Sequence, residues 1–291
     1  GSLVIDMKNG FNFQGSNIEI SAGSFGRTTA NIEIGGNDGQ LGYYINIERF
    51  DEDGWRDQSE SAALNVYGSF GWRSEYSAVN LNLQHGRSDL IGNGAAPVEL
   101  LALRREAIFT GPDITENDMT MMSLDFSHEV SSTISFSGNL FWRKNDTDSF
   151  NGDGSEFAVC EFSGGPGLIE GLEEDDVEEL GIDYDDLCEG QFAGADALES
   201  FLNNLATQAG EDEEFNIESF EADELSGTGV LSDQAINNIS NRVQQSFGGD
   251  FQWTLKGSFA GYSGQLVIGG SYFKGESDFS SVLELANLDP I

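Results

Sequence analysis

Lysine and arginine are scarce in this 291-residue chain, 13 against 51 aspartates and glutamates, for a formal net charge of −38 at pH 7. Phosphate binding needs clustered basic side chains, so nucleic acid is excluded as a partner. Long hydrophobic runs are missing too. No apolar stretch approaches the roughly 18 residues that a membrane helix requires, which excludes a helical membrane protein. Histidine and cysteine number only 2 each. Neither cysteine has a second Cys or a His beside it, and His85 and His128 fall at opposite ends of strand-like segments, so no metal or catalytic set is built from them. No Gly-x-Ser-x-Gly turn follows such a segment, and paired carboxylates say little in so acidic a chain; no catalytic residue, metal ligand or cofactor is assigned. The chain starts at Gly1 with no initiator Met, basic stretch or apolar leader, and is expected to be an internal piece of a longer protein.

What is present is glycine (37 residues), aromatic residues (11%) and a low mean hydropathy of −0.31. That balance suits many turns and polar-faced strands. Apolar and polar residues alternate with period two in Asn17-Ile18-Glu19-Ile20, in Asn31-Ile32-Glu33-Ile34, and from Leu41 to Glu48. The same alternation runs through Leu64, Val66 and Phe70, and through Val79, Leu81 and Leu83 with Asn80, Asn82 and Gln84 between them. It returns at Met122–Ser127, Ile134–Arg143, Ser246–Leu255 and Gln265–Tyr272. The reading is all-β, about nine strands, each with one apolar and one polar face.

A soluble sandwich and a membrane barrel both alternate in this way. Their connections differ. Short links at Asn37–Gly39, Arg73–Glu75, His128–Ser132 and Gly257–Ser263 take turns with long ones at Asp51–Ser61, Gly86–Asp118 and Asn145–Ser240. Short turns on one side and long loops on the other are the outer-membrane barrel pattern; only Gly23–Gly26 is a short link on the long-loop side. Phe50, Phe70, Trp72, Tyr76, Trp142, Phe259, Tyr262 and Tyr272 would then form the interfacial girdles. In a soluble β-sandwich binding protein the same rings would pack in a core, and that alternative stays open.

Several stretches resemble TonB-dependent outer-membrane receptors. Gly1 to Lys8 is similar to the end of their last plug strand, and Gly10-Phe11-Asn12-Phe13-Gln14-Gly15 to the passage into their first barrel hairpin. Asp51-Glu52-Asp53-Gly54-Trp55-Arg56-Asp57 resembles the family's D-x-D-G-aromatic-R-D signature. Leu90-Ile91-Gly92-Asn93-Gly94 with Pro97, Ile108 to Thr115, and Phe150-Asn151-Gly152-Asp153 fit the same group. The resemblance implies a receptor in the bacterial outer membrane, not an enzyme, that imports a scarce ligand with energy delivered through TonB. It implies an antiparallel meander forming part of a large transmembrane β-barrel of about 22 strands around a plug. Residues 1–15 would be the end of the plug and 16–144 the first seven barrel strands. Residues 145–240 would be a long acidic, partly helical extracellular loop, and 241–291 strands eight and nine. Partners would be outer-membrane lipid, TonB through a missing N-terminal part, and an unknown extracellular ligand. An outer-membrane barrel enzyme or an adhesin is the alternative class.

The acidic interval stands apart. Between Lys144 and Arg242 there is no Lys or Arg, and 27 Asp and Glu. Cys160 and Cys188 lie in it and are expected to form a disulfide in an oxidising, exported setting. A short helix is expected from Glu173 to near Gly181, and a second over Ala195–Gln208 with Leu198, Phe201, Leu202 and Leu205 on one face. These stripes look too small for a core of their own, which makes the interval the least rigid part expected. Asp146, Asp148, Asn151, Asp153 and Glu156 invite a calcium reading, but their spacing departs from the EF-hand and a solvated loop is preferred.

Overall fold

The structure is a computed structural model that describes residues 7–92, 94–155, 157–170, 172, 177, 180–210, 215–220, 226–227, 235–259 and 262–287. The expected plug strand falls mostly on residues 1–6, outside the described residues. Two compact units are present. The first comprises residues 1–108, 113–149 and 240–280, and the second residues 109–112, 150–239 and 281–291.

The strands of the first unit are β1 (Gly15–Ala22), β2 (Thr28–Asn37), β3 (Leu41–Glu52), β4 (Ser61–Arg73), β5 (Ser77–Gly92), β6 (Asp113–Ser131) and β7 (Ile134–Gly154). After the insert come β12 (Ala235–Phe259) and β13 (Tyr262–Ala286). They lie side by side in the order β1-β2-β3-β4-β5-β6-β7-β12-β13. Pairing from β1 through β6 is antiparallel and in step, as in a meander. The nine segments read from alternation are these nine strands.

Register turns the alternation into rows. On one face Leu41, Trp72, Val79 and Phe126 are mutual neighbours, followed by Tyr43, Phe70, Leu81 and Leu124, then Ile45, Gly68, Leu83 and Met122. Ile18 and Ile32 continue that face onto β1 and β2. This apolar face is open: Ile18 is 68% and Ile20 77% exposed. On the other face Ser69 is fully buried, and Tyr44 and Glu33 nearly so, at 4% and 7% exposure. Apolar residues outside and polar residues inside is the reverse of a soluble core and the pattern of strands that face lipid.

Several strands run further than their alternation. β5 continues to Gly92, β6 starts at Asp113, β7 continues to Gly154 and β12 starts at Ala235. The expected boundary of the acidic loop at 145–240 is therefore corrected to 155–234, and the loop expected between Gly86 and Asp118 shrinks to 93–112. Beyond the apolar band both faces meet water, so the contrast between faces fades while the ladder hydrogen bonds continue. The turns at the other end are short and self-capped. In Asn37–Gln40 the Asp38 carboxylate accepts the N–H of Gln40 at 2.9 Å and of Leu41 at 2.7 Å, which holds its pKa below the ordinary range.

The second unit contains β8 (Ala158–Phe162), β9 (Gly165–Glu170) and β10 (Glu218–Phe220) in a three-stranded sheet ordered β10-β9-β8. A two-residue β11 (Ser226–Gly227) pairs in parallel with the end of β13. Its longer helix spans Ala195–Ala209, with Ala195, Leu198, Leu202 and Ala206 buried, and Gly210 closes it in the left-handed region. These side chains pack with Cys160, Ile169, Leu172, Val177, Leu187, Phe215 and Ile217. The expectation that the insert lacks a core of its own is thus corrected: one helical stripe is too small, but Cys160 of β8, Ile169 of β9 and the segments around them bring a second apolar surface to it. The helix expected from Glu173 falls largely on residues outside the described set. Short helices at Val98–Leu103 and Tyr184–Leu187 were not expected from the sequence.

Candidate functional site

The polar face of the wall is built from a repeated triplet. Asn17-Ile18-Glu19, Asn31-Ile32-Glu33 and Asn46-Ile47-Glu48 sit on three adjoining strands, and antiparallel pairing sets each Asn opposite a Glu: Asn17 with Glu33, Glu19 with Asn31, Glu33 with Asn46, Asn31 with Glu48. The Asn31 amide donates to Glu48 at 3.1 Å and the Asn46 amide to the Asn31 oxygen at 3.3 Å. Further along, Tyr67 donates to Asn82 at 3.1 Å, Asn82 to Asp125 at 3.0 Å, and Asn139 to the other Asp125 oxygen at 2.7 Å. The apolar member of each triplet points to the opposite face, so one motif serves both surfaces.

The segment before β1 lies on this polar face. The Lys8 ammonium donates to Glu33 Oε2 at 2.7 Å, and the Tyr44 hydroxyl donates to the same oxygen at 2.6 Å. Asn37 donates to the Gly10 carbonyl at 2.6 Å, and Phe13 meets the Tyr44 ring edge-on at 5.3 Å. Phe11 rests on Gly71, where an added Cβ would stand 2.6 Å from its ring, and Arg73 covers the ring at 3.9 Å. Only glycine permits that approach. Polar grooves of about 520 Å³ flank the segment. One is lined by Asn17, Glu19, Asn31, Glu48 and Tyr67 among others, the other by Asn80, Asp125, Asn139, Asp250 and Gln252. Carboxylates and carboxamides so arranged can hold cationic or hydrogen-bonding groups.

At the end with the long connections, the D-x-D-G-aromatic-R-D stretch joins two loops. Gly54 is left-handed (φ 77°), and a Cβ there would meet Ser59 Oγ at 2.0 Å. The turn it permits aims Arg56 at the next loop, where its guanidinium donates to the Ala107 carbonyl at 2.6 Å and the Gly94 carbonyl at 3.5 Å. Asp57 N–H donates to Glu106 O at 3.0 Å, and Arg104 pairs with the Asp57 carboxylate. Trp55 is half exposed between the Arg56 and Arg105 guanidiniums, 5.9 and 5.6 Å from its ring.

Two solved structures share this architecture. One is the ferripyoverdine receptor of the outer membrane of Pseudomonas aeruginosa, bound to ferripyoverdine, with TM-score 0.56 and 12% identity over 94% of this chain and 29% of that one. The fold they share is an antiparallel β-meander of the kind that forms a barrel wall. The ferric preacinetobactin receptor BauA from Acinetobacter baumannii agrees, with TM-score 0.52 and 8% identity over 91% of this chain and 30% of that one. The chain spans about three-tenths of the length of each. No family model matches the sequence, and no curated protein does.

Within this sheet the residues singled out from the sequence are spread apart. His128 shares a hydrogen bond with Ser77 (2.8 Å) at the short-turn end, and His85 with Thr120 (3.1 Å) toward the other. Cys160 and Cys188 are joined as a disulfide inside the insert. Asp146 takes a bond from Lys144 and Asp148 from Asn241; among the described residues no group of three or more His, Cys, Asp or Glu is placed to hold a metal ion. The girdle side chains of Phe259 and Tyr262 lie outside the described residues. The seat for Phe11 and the Arg56 bridge escaped the sequence reading; the threefold Asn-Ile-Glu repeat was the available sign of the polar face.

Proposed function

We propose that this chain is part of the wall of a TonB-dependent receptor that imports a scarce, large ligand across the bacterial outer membrane with energy from the inner membrane. The observation that carries the reading is the two-faced sheet: an open apolar face of stacked rows, and a polar face already covered by the segment that precedes β1. Such a sheet is stable only where lipid covers one side and protein or water the other. The alternation of short turns with long loops, and the motif stretches on those loops, support a receptor over an enzyme.

For the ligand, the two structures named above are receptors of ferripyoverdine and of ferric preacinetobactin, which makes ferric complexes the first class to test. The 27 carboxylates of the acidic interval would repel an anionic complex and tolerate a neutral or cationic one. The test is uptake of radioactive iron by cells whose other ferric receptors are deleted, supplied in turn with neutral, cationic and anionic chelates. Uptake that requires both this protein and TonB supports the reading; uptake that persists without TonB, or after a protonophore, overturns it.

A further inference from the structure

From the loop between β3 and β4, Arg56 reaches two points near the ends of the loop between β5 and β6. Its Nη2 donates to the Ala107 carbonyl at 2.6 Å and its Nη1 to the Gly94 carbonyl at 3.5 Å. The two grips are unequal. A bond of 2.6 Å from a charged donor is short and strong, whereas one of 3.5 Å stands at the limit of hydrogen bonding. The Ala107 side is reinforced besides, because the Asp57 N–H donates to Glu106 O at 3.0 Å and Arg104 pairs with the Asp57 carboxylate.

Burial divides the loop in the same way. Ala107 and Ile108 are 1% and 8% exposed, but no residue from 94 to 103 is buried. That stretch includes the short helix Val98–Leu103, whose two terminal side chains are 73% and 88% exposed. A helix of this length is not stable by itself, and this one has no buried side chain to hold it down. Segments with few buried contacts open at low cost, so residues 94–103 part from their neighbours far more readily than residues 104–108.

The geometry points to a flap. Residues 94–103 swing between two fixed ends, Gly92, which pairs with Asp113 on β6, and a foot, Arg104–Ile108, that Arg56 and Asp57 pin to the neighbouring loop. The flap shuts when the Gly94 carbonyl returns to the Arg56 guanidinium. Because Arg105 belongs to the foot, Trp55 keeps its place between Arg56 and Arg105 whether the flap is open or shut. Opening therefore changes access at this end of the wall without rebuilding the loop. This deepens the receptor reading above and rests on it for what the flap admits.

The test uses the protein that carries this chain, inserted in lipid vesicles without ligand, with distances between spin labels read by double electron–electron resonance. Glu60→Cys, beside the first residue of β4, is the reference; its partner is Val98→Cys on the flap or Glu106→Cys on the foot. The Glu60–Val98 distances are expected to be broad or split and the Glu60–Glu106 distances narrow. R56K, whose single ammonium keeps the nearer carbonyl, should broaden the first pair further and leave the second narrow. R56Q should broaden both and speed exchange of the Asp57 amide by roughly tenfold, since a charge-assisted bond is lost. Equally narrow distributions for both pairs in the unaltered protein overturn the flap, and a Glu60–Glu106 pair that stays narrow in R56Q overturns Arg56 as its pin. Uptake that does not need TonB overturns the receptor reading and leaves these distances untouched, so the two fail separately.

Discussion

Replacing Leu83 by arginine tests the orientation of the whole wall. Leu83 lies on the apolar face between Gly68 and Met122, four residues from Val79 at one edge of the band and four from Arg87 at the other. Four residues span about 13 Å of strand, or roughly 10 Å of depth at a tilt near 40°. That places the side chain close to the bilayer midplane, where an arginine costs about 2 to 4 kcal/mol. The paired control is Asn82→Arg, one residue away on the polar face. There the change removes bonds to Tyr67, Asn80, Ser123 and Asp125, each worth about 1 kcal/mol net, but sets a guanidinium beside the Asp125 carboxylate in a wet groove. Its net cost is expected to be about 1 kcal/mol. Reversible unfolding of the vesicle-inserted protein by guanidinium chloride should therefore separate the variants by about 1 to 3 kcal/mol, or about fivefold or more in equilibrium constant. Equal shifts, or a neutral Leu83→Arg beside a damaging Asn82→Arg, would falsify the assignment of faces.

Gly71→Val forces a Cβ toward the Phe11 ring and should lift the segment from the polar face, at a cost of about 1 to 3 kcal/mol; proteolysis between residues 7 and 14 should speed up, and unchanged cleavage counts against the seat. Cys160→Ser with Cys188→Ser opens a loop of 28 residues' separation and should lower the insert's stability by about 3 to 4 kcal/mol on the chain-entropy estimate, read by hydrogen exchange of the Ala195–Ala209 helix; free-thiol labelling of both cysteines in the unreduced surface-exposed protein would show that the bond does not form. Replacing residues 155–234 by a short turn should leave the wall assembled, because Ser149 meets Ser240 at 2.7 Å and Asn241 meets Asp148 at 2.6 Å across β7 and β12; loss of membrane insertion would make the insert structural. The Asp38 carboxylate has a lowered pKa in the folded turn, so its contribution is present above the unfolded value near ~3.9 and disappears as pH falls through the folded value. Exchange at Gln40 and Leu41 should accordingly rise in acid relative to D38N, whose amide oxygen still accepts both N–H groups.

The sequence by itself determined the strands and their faces wherever two solvents meet. Period-two alternation survives selection only where one side of a strand is apolar and the other polar, so Val79 to Gln84 could be read residue by residue, and the links between such stretches ordered the meander. Beyond the band that signal vanishes. From Arg87 to Gly92 and from Thr147 to Gly154 both sides are wet, the side chains carry no contrast, and only backbone pairing continues the strands. Tertiary structure alone decided what rests on what. Phe11 finds its seat because register sets Gly42 beside Gly71, residues 29 apart in sequence, and the insert gains a core because Cys160 and Ile169 before its helix and Phe215 and Ile217 after it pack onto one stripe.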